Sequence, residues 1–145
     1  MLEAANRVVI ARPTRDVFAL LANSENDPQW RRGVVEIKRM SGEGAGARYH
    51  QVVRGPAGRS VVADIEITDY RQDQLIGFRT LTGPVRPVGR YELSPDGLGT
   101  AVSFTLTAEL GGLKRLIMGR VVRRTMEAEV GALGELKRIL ESGGA

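Results

Sequence analysis

The chain has 145 residues, of which 42% are hydrophobic and 26% charged, and its net charge is +4. That length and balance describe one folded domain over residues 1–145 with a core of its own, and exclude a disordered chain. With no cysteine and His50 as the sole histidine, disulfides, thiolate metal sites and His-rich metal centres are excluded, and no metal or cofactor is expected.

Met1 to Asn6 lacks the basic start and apolar run of a signal peptide, and nothing later reaches the ~20 apolar residues of a membrane span. A soluble, cytoplasmic protein is the expectation. Glu3 to Ala11 reads as a strand, with Val8, Val9 and Ile10 ahead of Pro13. Thr14 offers a helix cap, and Val17, Phe18, Leu20 and Leu21 recur at helical spacing as far as Asn23. A second short helical turn, capped by Ser24 or Asn26, carries Pro28 and Trp30.

From Gly33 the period becomes two. Val35 and Ile37 alternate with Glu36 and Lys38, which predicts a half-buried strand. Gly42, Gly44 and Gly46 form the next turn, Arg48 to Arg54 a strand, and Gly55-Pro56-Ala57-Gly58 a tight reversal. Val61, Ala63, Ile65 and Ile67 alternate with Val62, Asp64, Glu66 and Thr68 in one strand. Strands over Leu75 to Thr82, Val88 to Leu93 and Thr100 to Ala108 follow, separated by Gly83-Pro84 and Pro95-Asp96-Gly97. Gly111-Gly112 then opens a single helix from Leu113 to Glu141, with Met118, Val122, Met126, Val130, Leu133, Leu136 and Leu140 along one face. Ser142 to Ala145 is expected to fray.

The prediction is therefore an α+β fold: seven curved antiparallel strands, two short helices between the first two strands, and one long C-terminal helix. The helix must bury its stripe on one face of the sheet. A sheet of this width curls through its own twist, aided by bends at Gly77 and Gly89. One helix cannot fill that concavity, and only 5% of the residues are aromatic. An apolar hollow should remain, with Met118 and Met126 as its adaptable contacts.

These features resemble the START-like (SRPBCC, Bet v 1-like helix-grip) superfamily, in particular its polyketide cyclase/dehydrase and lipid-transport branch. The resemblance is carried by Pro13-Thr14-Arg15-Asp16-Val17-Phe18-Ala19-Leu20-Leu21 after the first strand and by Trp30 after the second short helix. Gly89-Arg90-Tyr91-Glu92-Leu93, Gly99-Thr100-Ala101-Val102 and the closing helix with Leu133 and Leu136 complete it. It spans essentially the whole chain, and its motifs are structural rather than catalytic. It implies a hydrophobic cavity between the long helix and the sheet rim, used for lipids, polyketides, hormones or quinones, with Trp30 near the mouth.

Assigning the apolar parity of each strand to the inside gives a set of candidate ligand-binding residues: Trp30, Tyr49, Gln51, Ile65, Phe78, Thr80, Tyr91, Phe104, Met118, Val122 and Met126. Tyr49, Gln51, Thr80 and Tyr91 are the polar groups able to converge in an apolar hollow. His50 falls on the opposite parity and should face solvent, as should Asp64, Glu66, Arg79 and Arg90. No constellation of catalytic residues is evident, so no catalytic residue is assigned.

The long helix carries its cations early, at Lys114, Arg115, Arg120, Arg123 and Arg124, and its acids late, at Glu127, Glu129, Glu135 and Glu141. The helix macrodipole prefers the reverse. Either solvation suffices for these charges, or Arg120, Arg123 and Arg124 meet an anionic membrane or protein transiently. Three readings of function follow. The first is a carrier or sensor that binds a hydrophobic small molecule. The second is a polyketide aromatase/cyclase or dehydratase using the same cavity, with Tyr49, Tyr91 or a re-registered arginine as proton donor. The third is an anionic membrane or nucleic-acid surface binder, although no nucleic-acid reader motif is present. Oligomeric state is not legible.

Overall fold

Period-two alternation builds one antiparallel sheet, and the computed structural model describes it within residues 1–55 and 58–143. Pro56 and Ala57 of the expected reversal, and Gly144 and Ala145 of the expected frayed end, lie outside the described residues. In chain order the elements are β1 (Leu2–Ile10), α1 (Thr14–Ala22), a 3₁₀ turn (Ser24–Gln29), β2 (Val34–Ser41) and β3 (Arg48–Arg54). Next come β4 (Ser60–Val62), β5 (Ile65–Arg71), β6 (Leu75–Thr80), β7 (Val88–Asp96) and β8 (Gly99–Ala108). The chain closes with α2 (Gly112–Gly131) and α3 (Leu133–Ser142).

The sheet runs in the order β1-β8-β7-β6-β5-β3-β2, with β4 beside the far end of β3. β1 pairs with β8 in unbroken register from Leu2 opposite Ala108 to Ile10 opposite Thr100. The first strand thus lies at one edge and the second at the other. α1 and the 3₁₀ turn carry the chain across that width.

Several local expectations are corrected. α1 is entered through Pro13 rather than capped by Thr14, and the 3₁₀ turn is capped by Asn23, whose side chain accepts from the Glu25 N–H at 3.1 Å, not by Ser24 or Asn26. Val35 is exposed because a bulge between Val34 and Glu36 turns Val34 inward instead. The strand expected through Val61 to Thr68 breaks at Ala63 and Asp64, so the described residues form eight strands where seven were expected. β7 continues through Pro95 to Asp96, further than Leu93.

The long C-terminal helix is present, but a one-residue interruption at Ala132 divides it into α2 and α3. The Ala132 N–H bonds back to the Glu129 carbonyl at 3.1 Å, a tightened turn following Gly131. Val122, Met126, Val130, Leu133, Leu136 and Leu140 are buried as the stripe requires, while Met118 is only half-buried. Each such side chain contributes about 1.5–3 kcal/mol by leaving water.

The helices pack against β1 and β8 rather than across the middle of the sheet. Asn6 Nδ2 donates to the Val130 carbonyl at 3.1 Å, Lys137 Nζ to the Val9 carbonyl at 2.6 Å, and Arg12 Nη1 to the Leu140 carbonyl at 2.9 Å. With the helices pinned along that edge, the inner face of β3, β4 and β6 is left incompletely covered. Among the described residues no helix is long and apolar enough to cross a membrane.

Candidate functional site: an apolar cavity with one polar end

The uncovered part of the sheet forms a cavity of about 150 Å³. Its walls come from β3 and β4 (Gln51, Val53, Val61, Ala63), from β6 and β8 (Phe78, Thr80, Phe104, Leu106), and from α2 (Met118, Val122, Thr125, Met126, Glu129). Arg54, Gly55, Pro84, Val85 and Pro87 form its rim.

Glycine shapes one wall. A Cβ on Gly89 would stand 2.4 Å from Phe78 Cζ and 2.8 Å from Leu106 Cδ2. The Phe78 ring therefore occupies the space a side chain at position 89 would need, and any other residue there would push it aside. Gly77 faces the bulge between Ile67 and Asp69, and its added Cβ would meet Asp69 Oδ2 at 2.6 Å. Both glycines expected to bend the sheet thus occupy places of close approach.

The polar end is built around Arg31, which leaves the 3₁₀ turn and is 7% exposed. Its Nε donates to Glu129 Oε2 at 2.9 Å, and its Nη1 donates to Asp27 Oδ2 at 2.7 Å and Gln51 Oε1 at 3.0 Å. Gln51 Nε2 in turn donates to the Ala63 carbonyl at 3.0 Å, which fixes its oxygen toward the guanidinium. Arg31 Nη2 makes no hydrogen bond among the described residues, and Arg31 lines the cavity. A buried cation is tolerable only when paired, and two carboxylates do this here.

The electrostatics are coupled. Burial, opposed by Arg31, raises the Asp27 carboxyl from 3.8 to about 6, and Glu129 adds to the rise. Arg31 is raised further despite its burial, because Glu129 and Asp27 stabilise its charge. Burial also pushes the Tyr91 phenol well above its ordinary value, with the Asp27 charge adding to the effect.

The expected ligand-contacting residues divide into two groups. Gln51, Phe78, Thr80, Phe104, Met118, Val122 and Met126 line the cavity together. Ile65 is buried beside it without lining it. Tyr91 stacks on Phe104 at 4.2 Å between centroids, with Phe78 tilted at 6.3 Å and Trp30 edge-on at 6.0 Å. Trp30 is 1% exposed and stands two rings behind the cavity wall, not near the mouth. Tyr49 points inward as its parity requires, but at a different place. It lies under the Arg39 guanidinium, 5.7 Å from its ring centroid, and lines a second hollow with Asn23 and Tyr70.

The outer face behaves as its parity requires, with added pairing. His50 Nδ1 lies 2.8 Å from Asp64 Oδ1, both about one-third exposed. Glu66 bridges Arg48 and Arg79, which lower its carboxyl. Among the described residues no cluster of carboxylates and histidine suits a metal ion. Sequence reasoning missed Arg31, Asp27 and Glu129. The signal available was an acid four residues before an arginine in a short turn, which is common on solvated surfaces.

The chain matches the polyketide cyclase/dehydrase and lipid transport family over residues 1–141. No curated protein matches it. Among solved structures, TTHA0849 from Thermus thermophilus is 22% identical, with a TM-score of 0.83 over 99% of each chain. DR_A0006 from Deinococcus radiodurans is 20% identical, with a TM-score of 0.72 over 97% of this chain and 98% of that one. The di-domain ARO/CYC StfQ from the steffimycin biosynthetic pathway is 15% identical, with a TM-score of 0.79 over 99% of this chain and 51% of StfQ. At these identities the solved structures establish the shared fold and nothing finer.

Proposed function

This chain belongs to the polyketide cyclase/dehydrase and lipid transport family, and we propose that it binds a hydrophobic small molecule between the sheet and α2, as a carrier or sensor. The ligand is lipid, polyketide or quinone-like. The observation that carries this reading is an apolar cavity lined by Arg31, whose Nη2 makes no hydrogen bond among the described residues. Such a site orients a mostly apolar ligand through one oxygen.

Size narrows the ligand. An apolar cavity of about 150 Å³ accepts a molecule the size of benzene. The cavity of this chain has that volume, so it encloses one ring or a short chain segment. A larger ligand places its oxygen-bearing end against Arg31 and extends out past Pro84 and Pro87, or displaces Met118 and Met126.

Native mass spectrometry of the freshly purified protein, with organic extraction, tests the reading. A retained apolar compound with an oxygen function supports it. If nothing is retained, and a panel of lipids, quinones and polyketide mimics leaves Trp30 fluorescence unchanged, the reading fails. Trp30 does not line the cavity and reaches its wall through Tyr91, which packs on Phe104 and Phe78, so the signal is transmitted through packing.

The cyclase or dehydratase reading now rests on different residues. Tyr49 and Tyr91 do not line the cavity, whereas Arg31 and Glu129 do. In an aldol-type cyclisation Glu129 would take a proton from the carbon beside a carbonyl, and Arg31 would hold the developing enolate oxygen. A time course with poly-β-ketone mimics distinguishes the readings: the enzyme changes regiochemistry or product mass, and the carrier changes neither.

A further inference from the structure

The first half of α2 leaves its apolar side chains in water. Leu113, Leu116, Ile117 and Val121 are 69%, 83%, 69% and 44% exposed. Their spacing of three and four residues places them on one outward face, opposite the buried Val122 and Met126. By the same helical spacing Arg120 and Arg124 lie within that face, Lys114 and Arg123 flank it and Arg115 falls on the far side, with no acid between Glu109 and Glu127. None of the five is paired with a carboxylate among the described residues.

In water this segment has little to hold it. Gly111 gives α2 no side-chain cap, its first turn has no acid, and Gly119 interrupts a stretch containing β-branched residues. It is held to the body by the half-buried Met118 and by Lys114 Nζ donating to the Pro84 carbonyl at 2.9 Å. That bond joins the start of α2 to the loop forming the rim of the cavity.

We propose that this face docks on an anionic phospholipid bilayer, bringing the cavity mouth against the lipid. Apolar side chains enter the interface, the surrounding cations meet lipid phosphates, and the phosphates complement the positive end of α2. Charge selects this occupant over a second copy of the chain, since two such faces would oppose four cations to four. The proposal rests on the carrier reading for its purpose, because docking lets an apolar ligand move between bilayer and cavity without crossing water.

The experiment is co-sedimentation with vesicles of phosphatidylcholine alone and of phosphatidylcholine mixed with phosphatidylglycerol. Ligand retention is measured by native mass spectrometry on the same samples. Binding is expected only to the mixed vesicles and should weaken as salt is raised. Each basic side chain at the surface is worth about fivefold in partitioning, so Arg120→Glu/Arg123→Glu/Arg124→Glu should lower it at least a hundredfold. Leu116→Ser/Ile117→Ser should abolish it. None of these five residues lines the cavity, so both variants should retain ligand as the parent does.

Equal binding to neutral vesicles, no binding by the parent, or undiminished binding by either variant overturns the docking. Concentration-dependent self-association of the parent that disappears in the serine variant also overturns it, in favour of a second copy. An acidic protein that competes with vesicles while the parent shows no preference for phosphatidylglycerol does the same. Retained ligand with no vesicle binding sinks the docking alone. Vesicle binding by a protein that retains no ligand and shows no Trp30 response to the ligand panel sinks the carrier reading alone.

Discussion

Asp27 releases its proton late because burial opposes the carboxylate more strongly than Arg31 supports it. With its carboxyl raised from 3.8 to about 6, the folded chain holds a proton that the unfolded chain has lost throughout that window. Stability therefore falls as pH rises from about 4 to about 6, by an amount on the order of 3 kcal/mol, and then levels off. Glu66, Glu135 and Glu141 are lowered by their basic partners. They work in the opposite sense at lower pH, where their contribution is lost as they protonate. Urea titrations of the parent and Asp27→Asn across this range cancel those shared terms. The parent should lose ground to the variant as pH rises, and a constant difference would refute the assignment. Arg31→Met makes a second prediction, because it strands Asp27 and Glu129 without their cation. It should cost about 3–5 kcal/mol, and adding Asp27→Asn and Glu129→Gln should recover much of that loss. Arg31 was illegible in the sequence because Arg32, its exposed neighbour, looks the same. Only the meeting with Glu129, 98 residues away along the chain, distinguishes them.

At the scale of elements, alternation reported which face a side chain occupies but not what lies opposite it. Gln51 and Tyr49 share the inner face of β3, yet Gln51 reaches the cavity and Tyr49 the hollow beside Arg39. The position of the helices along the β1–β8 edge decides between them, and that depends on distant contacts. Breaks that preserve parity were hidden for a related reason. Val61, Ala63, Ile65 and Ile67 all turn inward although the strand is interrupted between them, so the pattern carried no trace of the gap. The bulge at Val35 was hidden because the adjacent Val34 fits the buried position equally well. Gly89 was legible as an anomaly within a strand, and its reason is now specific. Gly89→Ala should push the Phe78 ring aside and cost about 1–3 kcal/mol, measured by the denaturation midpoint. Adding Phe78→Leu should recover part of it. If Gly89→Ala alone is neutral, the ring is free to move and does not define the wall.

For the molecule as a whole, the cavity is a cost that folding tolerates. Enclosed cavities destabilise by about 24 cal/mol per Å³, and a space of about 150 Å³ that opens at its rim withholds less packing than the roughly 4 kcal/mol that rate sets as a ceiling. An apolar ligand that enters it returns part of that loss and raises the melting temperature in proportion to the logarithm of its free concentration. A side chain that fills the same space should stabilise the protein permanently and exclude the ligand. Ala63 is suited to this, since it is buried, lines the cavity and presents only a methyl group to it. Ala63→Leu adds three carbons at about 0.8 kcal/mol for each one buried. After some strain, a gain of about 1–2 kcal/mol in urea unfolding is expected, together with loss of any co-purifying compound. The two effects are coupled because the site exists through incomplete packing. If Ala63→Leu destabilises the chain and still carries ligand, the space above β4 is already filled by neighbouring side chains, and the ligand must bind elsewhere.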